Sequence, residues 1–290
     1  MSNSPSTSPP AAPRVGRPVA LVTGAAKRLG LAIAEALADG GHDIALHYRH
    51  SQDEAEQAAQ QLRAAGAQVA LLYADLADEA SVRALLPAAV EQLGAVDVLI
   101  NNASSFDYDS PESFGWASFT QLMQANCAAP VALAQALHRH LQARGPAARG
   151  CVVNLLDQKL WNPNPDYFSY TLSKAALESA TTLLAMSMAP QLRVCGVAPG
   201  VTLVSGPMDE AEFERAHRLT PLQRSSTPQD IARTVRFLVE SPAITGTTVL
   251  VDGGQHLSGQ ARDVLFLARD MAPAAPSAPV PSPPHLGSAP

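Results

Sequence analysis

Short apolar runs rich in Val, Ile and Leu fall at Pro18–Val22, Asp43–Tyr48, Gln68–Leu72, Val96–Ile100, Cys151–Leu156, Arg193–Val197 and Thr247–Val251. Between them, Ala and Leu recur at helical spacing over Leu29–Asp39, Asp53–Ala65, Ser81–Leu93, Phe119–Leu141, Tyr170–Met188 and Pro228–Glu240. This alternation predicts βαβ units and a parallel sheet. Runs as continuously apolar as Val96–Ile100 fit strands covered on both faces. The expected architecture is α/β, one doubly wound parallel sheet of about seven strands with helices on both sides. One stretch, about Val201 to Thr227, interrupts the rhythm, and a long insertion after a strand reads as a functional flap.

The two ends differ from the middle. Five of the 24 prolines lie in residues 1–18 and seven in 271–290, among Ala and Ser. Residues 1–16 are therefore expected to be a disordered tail, and 259–290 a C-terminal extension, disordered from about 271. The remainder, 17–258, is long enough to bury a full sheet as one domain.

The 290 residues are 47% hydrophobic and 16% charged, a soluble globular profile, with net charge −6 from 20 basic and 26 acidic groups. The basic residues are scattered, which argues against a nucleic-acid partner. No apolar run is long enough for a membrane span, and Met1 to Pro13 lack the pattern of a secretory leader. Cys127, Cys151 and Cys195 are few and far apart, as expected for reduced thiols in a cytoplasmic protein.

The first strand runs into Thr23-Gly24-Ala25-Ala26-Lys27-Arg28-Leu29-Gly30 and then a helix. Small residues there let a phosphate approach the backbone, and the helix N-terminus favours an anion. The sheet is thus of Rossmann type, with Gly24, Arg28, Leu29 and Gly30 as candidate cofactor contacts. About 20 residues on, an acidic side chain at the end of the second strand would favour NAD. The chain instead carries Tyr48-Arg49-His50-Ser51, which with Arg28 suits the 2′-phosphate of NADPH/NADP+.

Tyr170-Thr171-Leu172-Ser173-Lys174 opens a helix, so Tyr170 and Lys174 share one face. An ammonium there is expected to lower the phenol pKa and make Tyr170 a usable acid. Asp157, Asn126, Asn101–Ser104 and Pro199-Gly200 all fall at the carboxyl ends of predicted strands or in adjoining helices. That is where open α/β sheets bind ligands.

With these motifs the chain resembles the short-chain dehydrogenase/reductase family from about Arg17 to Leu257. The resemblance implies catalytic roles for Asn126, Tyr170 and Lys174. It implies adenine contacts near Asp75 and Leu76, and cofactor contacts at Asn102, Ala103, Ser104, Pro199 and Gly200. Two departures from that family are Arg28 in place of a glycine and Asp157 in place of the catalytic serine. Together with His-Tyr-Arg-His-Ser, Asn-Asn-Ala-Ser-Ser-Phe and Pro-Leu-Gln-Arg, they are similar to the pteridine reductase branch. That branch implies Arg28, Ser104, Phe106, Asp157 and Tyr170 as substrate contacts, with Phe106 stacking on the pterin. It also implies a water held by Asn126 beside Lys174, and a homotetramer.

The chemistry of Asp157 points the same way. An ionised carboxylate repels the oxyanion of a ketone under reduction, but it accepts hydrogen bonds from amino and ring N–H groups, and if buried it can hold a proton. The expected activity is NADPH-dependent reduction of a C=N bond in a pterin, dihydropterin or dihydrofolate. Two alternatives stay open: a 3-oxoacyl or quinone carbonyl reductase on the same fold, and a non-catalytic NADPH-binding sensor or scaffold. No metal is expected, since His138 and His140 lack further convergent ligands. Asp209, Glu210, Glu212 and Glu214 read as solvated flap residues. Lys159, Trp161 and Tyr167 are either pocket wall or packing.

Overall fold

The computed structural model describes residues 16–204 and 208–271; the proposed tails lie outside these apart from Gly16 and Met271. The elements are β1 (Val19–Val22), α1 (Arg28–Asp39), β2 (Asp43–Tyr48), α2 (Gln52–Ala64), β3 (Val69–Tyr73), α3 (Glu79–Leu93) and β4 (Val98–Asn101). They continue with α4 (Trp116–Met123), α5 (Ala129–Ala143), β5 (Gly150–Leu155), α6 (Phe168–Met188), β6 (Leu192–Pro199), α7 (Glu210–Arg218), α8 (Pro228–Glu240), β7 (Thr248–Val251) and α9 (Val264–Asp270). All seven strands run parallel in the order β3-β2-β1-β4-β5-β6-β7. Chain order reverses between β1 and β4, which opens a crevice at the carboxyl ends of those strands.

The β1 sequence Val-Ala-Leu-Val is buried at every position because each face meets a helical layer. Ala20 and Val22 face Ile33 and Leu37 of α1 and Ile231 and Val235 of α8. Val19 and Leu21 face Leu85 of α3, and Leu133 and Leu137 of α5. This is the period-two consequence of a strand covered on both sides.

Three features depart from the expected pattern. The predicted helix Phe119–Leu141 is divided, with a π-helical turn at Gln124–Ala128 between α4 and α5. That turn carries Asn126, and such bulges concentrate at functional sites. The second departure is that the stretch between β6 and α8 is not all irregular, since it contains α7. Asp209 caps α7 in a reciprocal box with Glu212. Glu212 is buried and accepts from Arg269 at 2.7 Å, so it is structural rather than solvated, whereas Asp209 caps the helix while staying exposed. The third is that residues beyond 258 form α9. Its Val264, Leu265 and Ala268 pack with Met208 and Ala216 in a separate small core. Among the described residues no helix is long and apolar enough to cross a membrane.

Two polar devices fix α6. Asn101 donates to Asn154 at 2.8 Å, and Asn154 donates to Thr181 of α6 at 2.9 Å. At the start of the helix the buried Asp109 accepts from the Ser169 backbone N–H at 2.9 Å and from the Ser169 hydroxyl. A carboxylate there also faces the positive end of the helix dipole. Asp109→Ala strands both buried donors and is expected to cost about 2–3 kcal/mol. Chemical denaturation of the variant checks this.

Candidate active site

A cleft of about 580 Å³ opens at the crevice. On one side lies the β1–α1 turn. Gly24 has φ +64°, and a Cβ at Gly30 would come within 2.2 Å of the Gly24 carbonyl oxygen and 2.6 Å of Asn102 Nδ2. The turn is that close because Asn102 Nδ2 donates to the Thr23 carbonyl at 2.9 Å. Thr23 Oγ1 in return accepts from the backbone N–H groups of Asn102 and Ala103 at 2.9 and 3.0 Å. No acidic residue occupies the first turn of α1, and Lys27, Arg28 and Arg49 line the cleft around it. Small residues, a free helix end and three cations make an anion cradle.

Arg28 has φ +56°, a left-handed conformation that a side chain disfavours. Its guanidinium donates to the Val204 carbonyl at 2.7 Å and so ties the turn to the segment after β6. His47 is buried. Its Nδ1 accepts from the Gly24 N–H at 3.0 Å while Nε2 lies 3.1 Å from the Ala74 carbonyl. Those partners require a neutral ring protonated on Nε2, and burial lowers the pKa accordingly. His47 thereby joins the ends of three strands. It is not among the residues selected from the sequence, where a histidine directly after the apolar Ile44–Leu46 run is the available signal.

On the other side, Tyr170 donates to Asp157 Oδ2 at 2.9 Å. The opposite oxygen of Asp157 accepts from the Lys159 backbone N–H at 2.9 Å. Lys174 donates to the Leu155 carbonyl at 2.7 Å, and its Nζ lies 5.8 Å from the centre of the Tyr170 ring. Burial pushes the Asp157 carboxyl above the ordinary range, opposed by its hydrogen bonds to Lys159 and Tyr170. Burial also lowers Lys174 to about 8. For Tyr170 the structure corrects the expectation. Burial first, then the Asp157 charge, raises the phenol well above its usual value, so the nearby ammonium does not set its acidity in the free protein.

Of the residues singled out from the sequence, Gly24, Arg28, Leu29, Gly30, Arg49, Leu76, Asn102, Ala103, Ser104, Phe106, Asp157, Tyr170, Lys174, Pro199 and Gly200 converge on this one cleft. Tyr48, His50, Ser51 and Asp75 are not in its wall. Tyr48 packs edge-on against Tyr73, and Asp75 meets Arg49 at 3.4 Å. The Asn126 side chain is engaged by the backbone of Ser105 and by the hydroxyls of Ser104 and Ser173. Phe106 stacks on Tyr167 at 4.3 Å and meets Tyr170 edge-on at 4.7 Å. Lys159 and Tyr167 are wall residues, as are Asp263, Val264 and Leu265 from the C-terminal segment. Trp161 is not. The C-terminal contribution has no local signal, because its partners are about a hundred residues away in the chain, as Lys159 and Asp263 are.

An anion cradle facing a Tyr–Lys–Asp cluster across one cleft defines an oxidoreductase on a dinucleotide-binding sheet. The chain belongs to the short-chain dehydrogenase/reductase family, whose profile, described as enoyl-(acyl carrier protein) reductase, matches residues 24–256. It is 36% identical to pteridine reductase 1 of Leishmania tarentolae, over 83% of this chain and 97% of that protein. The crystal structure of FolM alternative dihydrofolate reductase 1 from Brucella canis, complexed with NADP, superposes with a TM-score of 0.78. It is 39% identical and covers 83% of this chain and 95% of that one. The chain is also 31% identical to the 3-oxoacyl-[acyl-carrier-protein] reductase FabG of Staphylococcus aureus, over 82% and 98% of the two chains.

Proposed function

We propose that the protein is an NADPH-dependent reductase of pterins, acting on a C=N bond of a pterin, dihydropterin or dihydrofolate. The observation that carries this reading is the buried Tyr170–Asp157 pair, in which a carboxyl stands where a carbonyl reductase needs a neutral donor. Pteridine reductase 1 and the FolM dihydrofolate reductase are relatives at 36% and 39% identity and support it. The cradle at Gly24, which is left-handed, and Gly30, which leaves no room for a Cβ, is flanked by Lys27, Arg28 and Arg49 and suits a phosphorylated dinucleotide.

NADPH, when bound, supplies the hydride that adds to the carbon of the C=N bond. Tyr170 donates its proton to the adjoining nitrogen. The phenolate left behind is reprotonated from water by way of Asp157, which accepts from the Tyr170 hydroxyl and whose affinity for a proton is raised by burial. Phe106 offers a flat face to the bicyclic ring. Lys174 holds the nicotinamide ribose, and Asn126 keeps the Ser104–Phe106 loop against α6. The family's tetrameric assembly and a cytoplasmic setting belong to the same reading.

The test is NADPH oxidation at 340 nm with dihydrobiopterin, dihydromonapterin and dihydrofolate, beside a quinone and an acetoacetyl thioester. Turnover confined to the pterins and folate supports the proposal, and turnover of the carbonyl compounds alone overturns it. Lys174 adds a pH dependence. Because it loses its proton near pH 8, NADPH affinity is expected to fall as pH rises through about 8. In a fluorescence titration Lys174→Met should bind weakly at every pH and lack that step.

A further inference from the structure

We propose that Lys159 and Asp263 are positioning residues that hold Asp157 in place from the C-terminal side of the cleft, so that the segment leading into α9 is part of the proton-delivery machinery. The inference rests on the pterin reductase reading for its catalytic meaning, but its geometry stands without it. Lys159 fixes Asp157 directly through its backbone N–H, at 2.9 Å from Oδ1. Its ammonium turns back into the protein. The Lys159 side chain is 5% exposed, and Nζ donates to the Asp166 carbonyl at 2.5 Å and to Asp263 Oδ2 at 3.2 Å.

Asp263 is held in turn from several directions. Its backbone N–H donates to Asp166 Oδ2 at 2.7 Å, and its Oδ1 accepts from the Leu265 N–H at 3.1 Å to cap α9. Arg262 beside it grips both oxygens of the buried Asp166, at 2.8 and 3.0 Å. A cation and an anion, both in the cleft wall beside the Asp157–Tyr170 pair, are thus fixed by a lattice of charge-assisted bonds. Such a lattice resembles the outer shell that tunes a functional group rather than one that merely fills space.

The charged and titratable groups facing Asp157 are Tyr170 and Lys174 from α6, Lys159 from the turn after β5, and Asp263 from the segment before α9. Within this set the two proposed residues act in opposite senses. The Asp263 charge raises the affinity of Asp157 for its proton, and Lys159 lowers it. Asp263 also raises Tyr170, so its influence extends over both members of the pair.

The experiment follows the Asp157 carboxyl carbon by NMR in the free full-length protein, with the resonance assigned through Asp157→Asn. Asp263→Asn keeps an oxygen to cap α9 while removing the charge, and Lys159→Met keeps the stem without the ammonium. The midpoint is expected to move to lower pH in Asp263→Asn and to higher pH in Lys159→Met, each by less than the displacement that burial causes. In the double variant it should return near that of the native chain. The alkaline fall of kcat/KM for dihydropterin should follow the same three shifts. Unmoved midpoints, or shifts of both single variants in one direction, overturn the proposal. If a single variant does not fold, the double variant, which leaves neither charge unpaired, together with Asp263→Glu decides it. A double variant far from the native midpoint, or an Asp263→Glu protein that does not restore it, is again contrary. A Tyr170→Phe enzyme with native turnover would instead remove the catalytic reading while leaving the NMR result intact.

Discussion

Tyr170→Phe is expected to lose about 10²–10⁴ in kcat on a dihydropterin, the ordinary contribution of a positioned general acid, with little change in NADPH binding. The phenol ring makes an edge contact with Phe106, and phenylalanine preserves it, so the loss reports the hydroxyl alone. The same change removes the donor that Asp157 Oδ2 accepts, which leaves a buried carboxyl short of one partner. Steady-state kinetics with the variant, beside a thermal melt to show that it folds, check the expectation. Native turnover would show that the nitrogen takes its proton from elsewhere.

Asp157→Ser is expected to act on activity and stability in opposite directions. Two hydrogen bonds end on this carboxyl, and a bound pterin would add its own N–H donors. At about 1.5–3 kcal/mol for each hydrogen bond to a charged group, pterin kcat/KM should fall by about 10²–10³, while any trace activity on the acetoacetyl thioester should rise. Stability should change the other way. The folded-state pKa of Asp157 is raised by burial, so its favourable contribution exists only at acid pH and is lost as pH rises through the folded value. Above that value the native chain therefore bears the cost of a desolvated carboxylate. The serine variant should have the higher Tm at pH 8, with the advantage shrinking towards pH 4. A lower Tm at both pH values would mean that Asp157 holds the fold together rather than serving the site.

The parts legible in the sequence are those with local or periodic causes. The seven strands and the helices α1, α2, α3, α6 and α8 follow from runs and spacings that burial imposes within a few residues. Tyr170 and Lys174 meet because i and i+4 share a helix face. Asp157 joins them because a parallel strand ends beside the helix that follows it. The remaining parts depend on partners distant in sequence. His47 is a neutral bridge only because Gly24 and Ala74 lie on either side of it. Lys159 is buried in the cleft wall because Asp263 arrives from 104 residues away. The elevated Tyr170 pKa follows from burial, which a motif does not encode. The π-turn at Gln124–Ala128 has no clear compositional mark, since it holds neither Gly nor Pro and depends on the contacts that Asn126 makes with Ser105 and Ser173.

Arg28 has an implication for how such a chain can change. A glycine in its place would take up φ +56° without steric cost and would be favoured by about 1–2 kcal/mol on that account alone. The same replacement would sever the link to the Val204 carbonyl and remove a cation from the cradle. Selection for heat resistance alone would therefore drive this position towards glycine, and selection for turnover would drive it back. The arginine marks a place where the protein trades robustness for a mouth that is held in shape.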